Sequence, residues 1–589
     1  MSKEQTPLPG NGAAGATQAG QLPLEEFTLR TTILEPQGLE TVPRLAGAGC
    51  IPLHLPVALS ASGQELLVDF GVETVGYFSC ELRCEGNAVV TVLFGESRTE
   101  ALSDDPVDVG WYRRARDVIS AHAGSTAFRT AYRRGFRYVR LQFTEGQGAA
   151  IISRLRVEQV HYPFAREGRF ACSEPLLNRI WEISRRTMIL TSQQWYEDGV
   201  KRDGMLWVGD YRVSYLCNTT LFGDAALARK CLTAFALSQL PSGAIPATGN
   251  NGGLAPAWER NIEYMSNCGS VGSWHSKWLI ANYAYDWVMS LYEYYEHTAD
   301  EDLVRLLWPQ ASRAIEWVIR DGGGDPVMDN GEGGKWYGSE AWMAIWRYWA
   351  VQAGRSLARL VSDSAVESQC ADYLCGKGAE ICERFIDRER GYLSDKGSSF
   401  ILRHASAAAL LAGLISPGEA AHMFERLALD GSFRKEHVGM AKFYVLWAMM
   451  KSGRVAEALA DIREYYGCML DNGATTCWES CGLVDAEPII SRCHGWTAGP
   501  AYLFPKYLLG VHPAAPGFSR VRIEPHLGGL RWAEGTIPLP QGDLSIRLEA
   551  GARTMGCVVL PAGVEGDLII SSPTGVTSSP LHPGENAIG

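Results

Sequence analysis

The segment Asp198-Gly-Val-Lys-Arg202-Asp203-Gly-Met-Leu-Trp207-Val-Gly-Asp210 packs three carboxylates and an indole into thirteen residues of an otherwise apolar, helix-rich stretch. Acids this close repel one another, so folding alone gives little reason to keep them. A helix would set Asp203, Trp207 and Asp210 on one face at i, i+4 and i+7, whereas glycines at 199, 204 and 209 suggest a loop running into a helix. Either geometry aims acids and a ring into one space. Sugar cleavage asks for that combination, because acceptors hold hydroxyls while the apolar sugar face stacks on an aromatic plate. The plainer alternative is a charged helix start, since acids favour helix N-termini.

Breaking a glycosidic bond takes one carboxylic acid to protonate the leaving oxygen and a second carboxylate across the sugar. The second should come from a distant part of the chain, and Glu479 in Gly473-Ala-Thr-Thr-Cys-Trp478-Glu479 is the candidate, an acid beside an indole after a glycine turn. Cys493-His494-Gly-Trp496 follows soon after. A lone histidine is more often a structural hydrogen bonder than a catalyst, so His494 is read as a substrate contact. Arg202, Trp342 and Trp496 are further candidate contacts. Loop tryptophans such as Trp195, Trp258, Trp274 and Trp336 are read as sugar platforms, and helical ones such as Trp181, Trp278, Trp287, Trp308 and Trp317 as core.

These residues must be positioned by elements far apart in a chain of 589 residues, too long for one core. Residues 1–25 are Gly, Ala, Gln and Pro with few bulky apolar groups, and are expected to be disordered. Residues 26–168 alternate with period two: Phe78, Cys80, Leu82 and Cys84, then a Glu85-Gly-Asn87 turn, then Val90, Val92 and Phe94, which predicts a β-hairpin in a β-sandwich. Near 172 the period changes. Ser173-Glu-Pro175 reads as a helix cap, and helical patterns run to 510, among them 211–222, 224–240, 275–298, 301–320, 338–361, 366–386, 416–428 and 453–466. A dozen helices with unequal loops suit an (α/α)6 barrel, with the loops building a central pocket. Sixteen of the eighteen tryptophans fall in this segment, more than core packing usually needs. Residues 511–589 return to strands and predict a small C-terminal β-domain.

A net charge of −12 argues against nucleic-acid or anionic-membrane partners, and no apolar run reaches transmembrane length. The N-terminus has no apolar signal region, so a cytoplasmic location is expected. Fifteen scattered cysteines read as reduced, mostly buried thiols, with no zinc spacing and no cofactor implied. Asn218-Thr-Thr is formally a glycosylation acceptor but lies in an apolar helical stretch. A small glycoside is the expected partner; the oligomeric state is open, a homodimer included.

Four strings in order, D-x-x-x-R-D-x-x-x-W-x-x-D at 198–210, G-A-T-T-x-W-E at 473–479, C-H-x-W at 493–496 and Val68-Asp-Phe-Gly-x-x-x-x-Gly76, together resemble the α-L-rhamnosidases of glycoside hydrolase family 78. The resemblance spans nearly the whole chain. It implies β-sandwich modules before an (α/α)6 barrel of the six-hairpin type, a C-terminal β-domain, and inversion of the anomeric centre by an activated water. It makes Asp203 the general acid and Glu479 the general base, with Asp198 and Asp210 holding hydroxyls, Trp207 packing on the sugar and His494 touching substrate. The acid is usually glutamate in the family and is aspartate here; a one-residue shift would align that glutamate with Gly204. The leading reading is an exo-acting inverting hydrolase of terminal α-L-rhamnosides. The alternatives are a related barrel glycosidase for another sugar, such as an unsaturated uronide, and a non-catalytic carbohydrate binder.

Overall fold

The computed structural model describes residues 24–42, 52–60, 63–104, 116–201, 204–249, 279–320, 340–393, 403–430, 435–481, 490–551, 554–572 and 575–589. Among them no helix is long and apolar enough to cross a membrane.

The N-terminal part is a nine-stranded antiparallel sheet built around one long strand, Glu65–Cys84. Side chains alternate as the period-two pattern predicts, with Phe78, Cys80, Leu82 and Cys84 buried and Glu81 and Arg83 exposed. The pairing differs from the expected hairpin. Glu65–Cys84 pairs with Arg134–Gly146 and Ala150–His161, while Ala88–Gly95 pairs with Arg134–Gly146 and Arg116–Ala121. The Glu85–Asn87 corner therefore closes no ladder, because the Ser79–Cys84 end of the long strand is already flanked by Ala150–His161 and Gly124–Arg129, and Ala88–Gly95 by Arg134–Gly146 and Arg116–Ala121.

The long strand bends where its register shifts between Asp69 and Thr74. Gly71 supplies the left-handed backbone (φ +78°), and Asp69 braces the turn by accepting from Gly71 N at 2.7 Å and from Arg137 Nε at 2.9 Å. Any side chain at Gly76 would place its Cβ 2.2 Å from Glu158 O. The Val68-Asp-Phe-Gly-x-x-x-x-Gly76 string is thus a bulge and a close strand approach. Its bend docks on the helical part: Glu73 N donates to Thr475 Oγ1 at 2.8 Å and Arg137 Nη1 to Gly473 O at 3.3 Å.

After a short helix α1 (Arg98–Leu102), the helical part comprises α2 (Pro175–Thr191), α3 (Val208–Leu221), α4 (Ala226–Leu237), α5 (Ala281–Thr298), α6 (Glu301–Arg320), α7 (Glu340–Val361), α8 (Ser364–Leu374), α9 (Lys377–Phe385), α10 (His404–Leu411), α11 (Pro417–Ala428), α12 (Gly439–Lys451), α13 (Val455–Asp471) and α14 (Pro500–Leu503). Two kinds alternate. α3, α5, α10 and α12 are buried on nearly every side, whereas α6 buries Leu303, Val304, Leu307, Ala311, Ala314, Ile315 and Val318 on one stripe. Uniformly buried helices belong inside and striped ones outside. Accordingly α3, α5, α7, α10, α12 and α14 touch in succession and α14 returns to α3, while α2, α4, α6, α8, α11 and α13 pack outside them.

Local signals mostly act as expected. Pro175 opens α2, although Ser173 accepts from Arg531 N instead of capping the helix. The predicted helix 366–386 is split into α8 and α9, because Gly376 adopts φ +71° between them. Asn218 is buried and donates to Asp224 O at 2.7 Å, which fits a coincidental glycosylation string.

The C-terminal strands form two sheets, one of five and one of four strands. Arg169–Cys172 pairs with Trp532–Leu539, so a strand preceding the first long helix completes the C-terminal five-stranded sheet. Among the described residues thirteen cysteines are free and most are buried.

Candidate active site

The acid-rich segment is a loop running into a helix. α3 starts at Val208 with Trp207 as its N-cap, which leaves Asp210 in the first turn, where the helix dipole favours a carboxylate. The loop is closed by a two-way clamp: Met205 N donates to Asp198 Oδ1 at 2.9 Å and Asp198 N donates to Met205 O at 3.1 Å. Gly204, at φ +67°, donates to Gly199 O at 3.1 Å. Arg202 and Asp203 sit in the chain between these anchors and lie outside the described residues, as do Trp258, Trp274 and Trp336.

A second loop, after α13, runs beside the first. Val200 N donates to Cys493 O at 3.3 Å, Gly495 N to Asp198 O at 2.7 Å, and His494 N to Cys477 O at 2.9 Å. This places the His494 ring among the acids, with Nε2 4.0 Å from Asp198 Oδ2 and Nδ1 3.8 Å from Asp210 Oδ1. Trp496 packs on that ring at 4.2 Å between centroids and donates its indole N–H to Glu479 O at 3.1 Å. Glu479 is buried and its Oε2 accepts from Ser491 N at 3.0 Å. The structure thus gathers Asp198 and, from the first turn of α3, Asp210 with His494, Trp496 and Glu479 on two adjacent segments, although some 270 residues separate the segments in the sequence.

The aromatic candidates divide. Trp207 is partly buried and meets Tyr283 edge-on at 6.3 Å. Trp342 lies in the first turn of α7, stacked on Trp346 at 4.0 Å and 5.5 Å from the His404 ring. Trp195, expected as a platform, is buried and donates to Gly204 O at 3.2 Å, so it braces the acid loop from behind. Trp478 lines a cavity of about 540 Å3 between the N-terminal sheet and the helical part, under the Arg492 guanidinium at 4.3 Å. Glu479, next to it in sequence, is not among the residues lining that cavity.

Sequence reasoning missed Glu197, the residue immediately before the acid-rich string. It is buried and takes both Arg133 guanidinium nitrogens, at 2.5 and 3.1 Å. Burial outweighs that guanidinium and pushes its carboxyl up to about 7. It also missed the inner ion cluster: Arg212 of α3 bonds Asp286 at 3.0 Å and Glu293 at 2.7 Å on α5, with Trp349 of α7 4.4 Å from the guanidinium. Burial pushes Asp286 up to about 7 against the pull of Arg212 and of Trp346 Nε1. A single arginine in an apolar helix is the only signal that could have pointed to this cluster.

Alternating inner and outer helices with paired acid loops define a glycosidase-type helical domain, and comparison with known proteins makes this specific. The model of the bacterial alpha-L-rhamnosidase six-hairpin glycosidase domain matches residues 165–508, and that of the bacterial alpha-L-rhamnosidase C-terminal domain matches 510–582. The chain belongs to the bacterial α-L-rhamnosidase six-hairpin glycosidase family. Its fold resembles a family 78 rhamnosidase of Bacillus sp. GL1 (24% identity, TM-score 0.70, 88% of this chain and 56% of that one). It also resembles a Klebsiella oxytoca rhamnosidase with rhamnose bound (21%, 0.69, 81% and 96%) and an α-L-rhamnosidase of Dictyoglumus thermophilum (15%, 0.75, 95% and 64%). The chain therefore spans little more than half the length of the Bacillus protein. No curated protein matches it.

Proposed function

We propose that this protein is an exo-acting α-L-rhamnosidase that works with inversion. The observation that carries the reading is the lateral hydrogen bonding of the 198–205 clamp to the 493–495 segment, which brings Asp198, Asp210 and His494 to the loop next to Glu479. The circuit of inner helices inside outer ones is an (α/α)6 barrel in this reading. Residues 26–168 form a β-sandwich module and 511–589 a C-terminal β-domain. The buried thiols fit a reducing compartment, and the cytoplasm is the proposed location.

Asp203 gives its proton to the glycosidic oxygen as the bond from that oxygen to C1 breaks. Glu479 takes a proton from a water whose oxygen attacks C1 from the opposite face, so the free sugar leaves with its anomeric configuration reversed. Inversion sets the two carboxyl groups about 6.5 to 9.5 Å apart to admit that water. Amide donation to Glu479 Oε2 orients the base, while the apolar wall of Trp207 and the acids Asp198 and Asp210 favour a protonated Asp203. Asp198, Asp210 and His494 hold hydroxyls, and Arg202, Trp258, Trp336, Trp342 and Trp496 complete the substrate contacts.

The test is a panel of aryl glycosides followed by NMR. Cleavage of the α-L-rhamnoside with release of the β anomer is expected. Release of the α anomer would remove the inverting mechanism, and cleavage of another sugar alone would move the specificity.

A further inference from the structure

Both carboxyl loops rest on the same few residues of the N-terminal sheet. Glu96 follows strand Ala88–Gly95, and α1 folds Glu100 back beside it, so that Glu96 N donates to Glu100 Oε2 at 2.8 Å. Gly95 is needed for this fold-back, since a Cβ there would lie 2.6 Å from Ala101 N. Lys201 of the acid loop enters between the two carboxylates, its Nζ 2.9 Å from Glu96 Oε2 and 3.2 Å from Glu100 Oε2. It also donates to Ile490 O at 3.1 Å.

Glu96 continues the chain of contacts to the other loop. It accepts from Arg492 N at 2.6 Å and from Ser491 Oγ at 3.4 Å, and Ser491 N is the donor to Glu479 Oε2. The side chains of Glu96, Glu100 and Lys201 are 0%, 3% and 7% exposed, so the linkage is sealed from solvent. A buried ammonium or carboxylate gives up its hydration, and removing one partner strands the others. An apolar plug would fill the space but could not select this one register between the loops.

We propose that Glu96 and Lys201 are positioning residues that set the spacing between the proton-donor loop and Glu479, which makes the N-terminal sheet part of the catalytic apparatus. This rests on the rhamnosidase reading above. Lys201 precedes Asp203 by two residues and follows Asp198 by three. Loss of its anchor lets the donor loop drift, and a displacement of about 1 Å costs on the order of a hundredfold in rate.

The experiment compares Lys201→Met, Lys201→Arg and Glu479→Gln in the full-length chain on phenyl and 2,4-dinitrophenyl α-L-rhamnoside, with thermal unfolding measured alongside. A dinitrophenolate leaves without protonation, so a misplaced acid shows only on the phenyl substrate. Lys201→Met is expected to lose roughly a hundredfold in kcat on the phenyl glycoside and far less on the dinitrophenyl one, with Lys201→Arg recovering most of the loss. If Lys201→Met kept the parent kcat, or lost both rates equally without recovery by arginine, the positioning role would be overturned. Should Lys201→Met not fold, Glu96→Gln carries the same two readouts. A Glu479→Gln variant as active as the parent would sink the functional reading itself, whereas an inactive Glu479→Gln beside an unaffected Lys201→Met sinks only this inference.

Discussion

The molecule holds two groups of buried acids within the same helical part, and they are held in different ways. At the loops, Asp198 and Glu479 each accept a backbone amide, at 2.9 and 3.0 Å. Deeper in, Asp286 and Glu293 are bound by the Arg212 guanidinium, and Glu436 and Asp461 by Arg403, with Lys442 3.1 Å from Asp461. An amide orients a carboxylate and leaves its negative charge in place, whereas a guanidinium cancels that charge and ties two helices together. In the proposed reaction Glu479, of the first kind, moves a proton and Asp198 holds a hydroxyl. Acids of the second kind hold α3, α5 and α7, or the α10–α13 region, in register.

The largest effect should fall on the guanidinium-bound group. Arg212→Met leaves two buried carboxylates unpaired and is expected to cost about 3 to 5 kcal/mol of stability, read by urea unfolding. Unfolding unchanged from the parent would dissolve the distinction, because the inner acids would then be as independent as the outer ones. Next come Asp203→Asn and Glu479→Gln, each expected to lower kcat by about a hundredfold or more with the unfolding transition preserved. A large loss of stability in Glu479→Gln would move that residue into the structural class.

Glu197 stands between the two groups, since it lies at the loop yet is paired with Arg133. Its folded carboxyl is raised from the ordinary 4.5 to about 7, so between those values the folded chain keeps a proton that the unfolded chain has released. Stability should therefore fall as pH rises from about 4.5 to 7. Glu197→Gln, neutral throughout, is expected to flatten that fall by about 1 to 3 kcal/mol, measured by urea unfolding at either end of the range. Parallel curves for parent and variant would place the titration elsewhere. The smallest effect belongs to Trp195→Phe, which removes the bond to Gly204 O and should cost about 1 kcal/mol with kcat little changed. A collapse of kcat at parental stability would restore Trp195 as a sugar platform.

Much of the fold was legible because its signals are local. The alternation through Phe78, Cys80, Leu82 and Cys84 identified a strand and its buried face, and the pattern along 301–320 identified a helix to the residue. Strand partners were not legible, since Cys84 and Ala88 look equally ready for a hairpin, whereas in the fold Cys84 pairs with Ala150 and Ala88 with Gly146. Gly376 could have ended a helix or been tolerated within it, and the cost of about 1 kcal/mol for an interior glycine is too small to decide. The tryptophan excess suggested platforms, yet Trp195 is buried in the core, while Trp287, read as core, is buried as expected.

Sequence alone determined the chemistry on offer. It showed which acids cluster, that a second acid stands far along the chain, and that the elements between are helices, because periodicity and residue type are properties of short windows. Tertiary structure decided which of those residues meet. It set His494 between Asp198 and Asp210, put Trp478 in the cavity beside Arg492, and tied both loops to Glu96 through Lys201 and Ser491. Such meetings depend on packing between residues hundreds of positions apart, where no local propensity reaches.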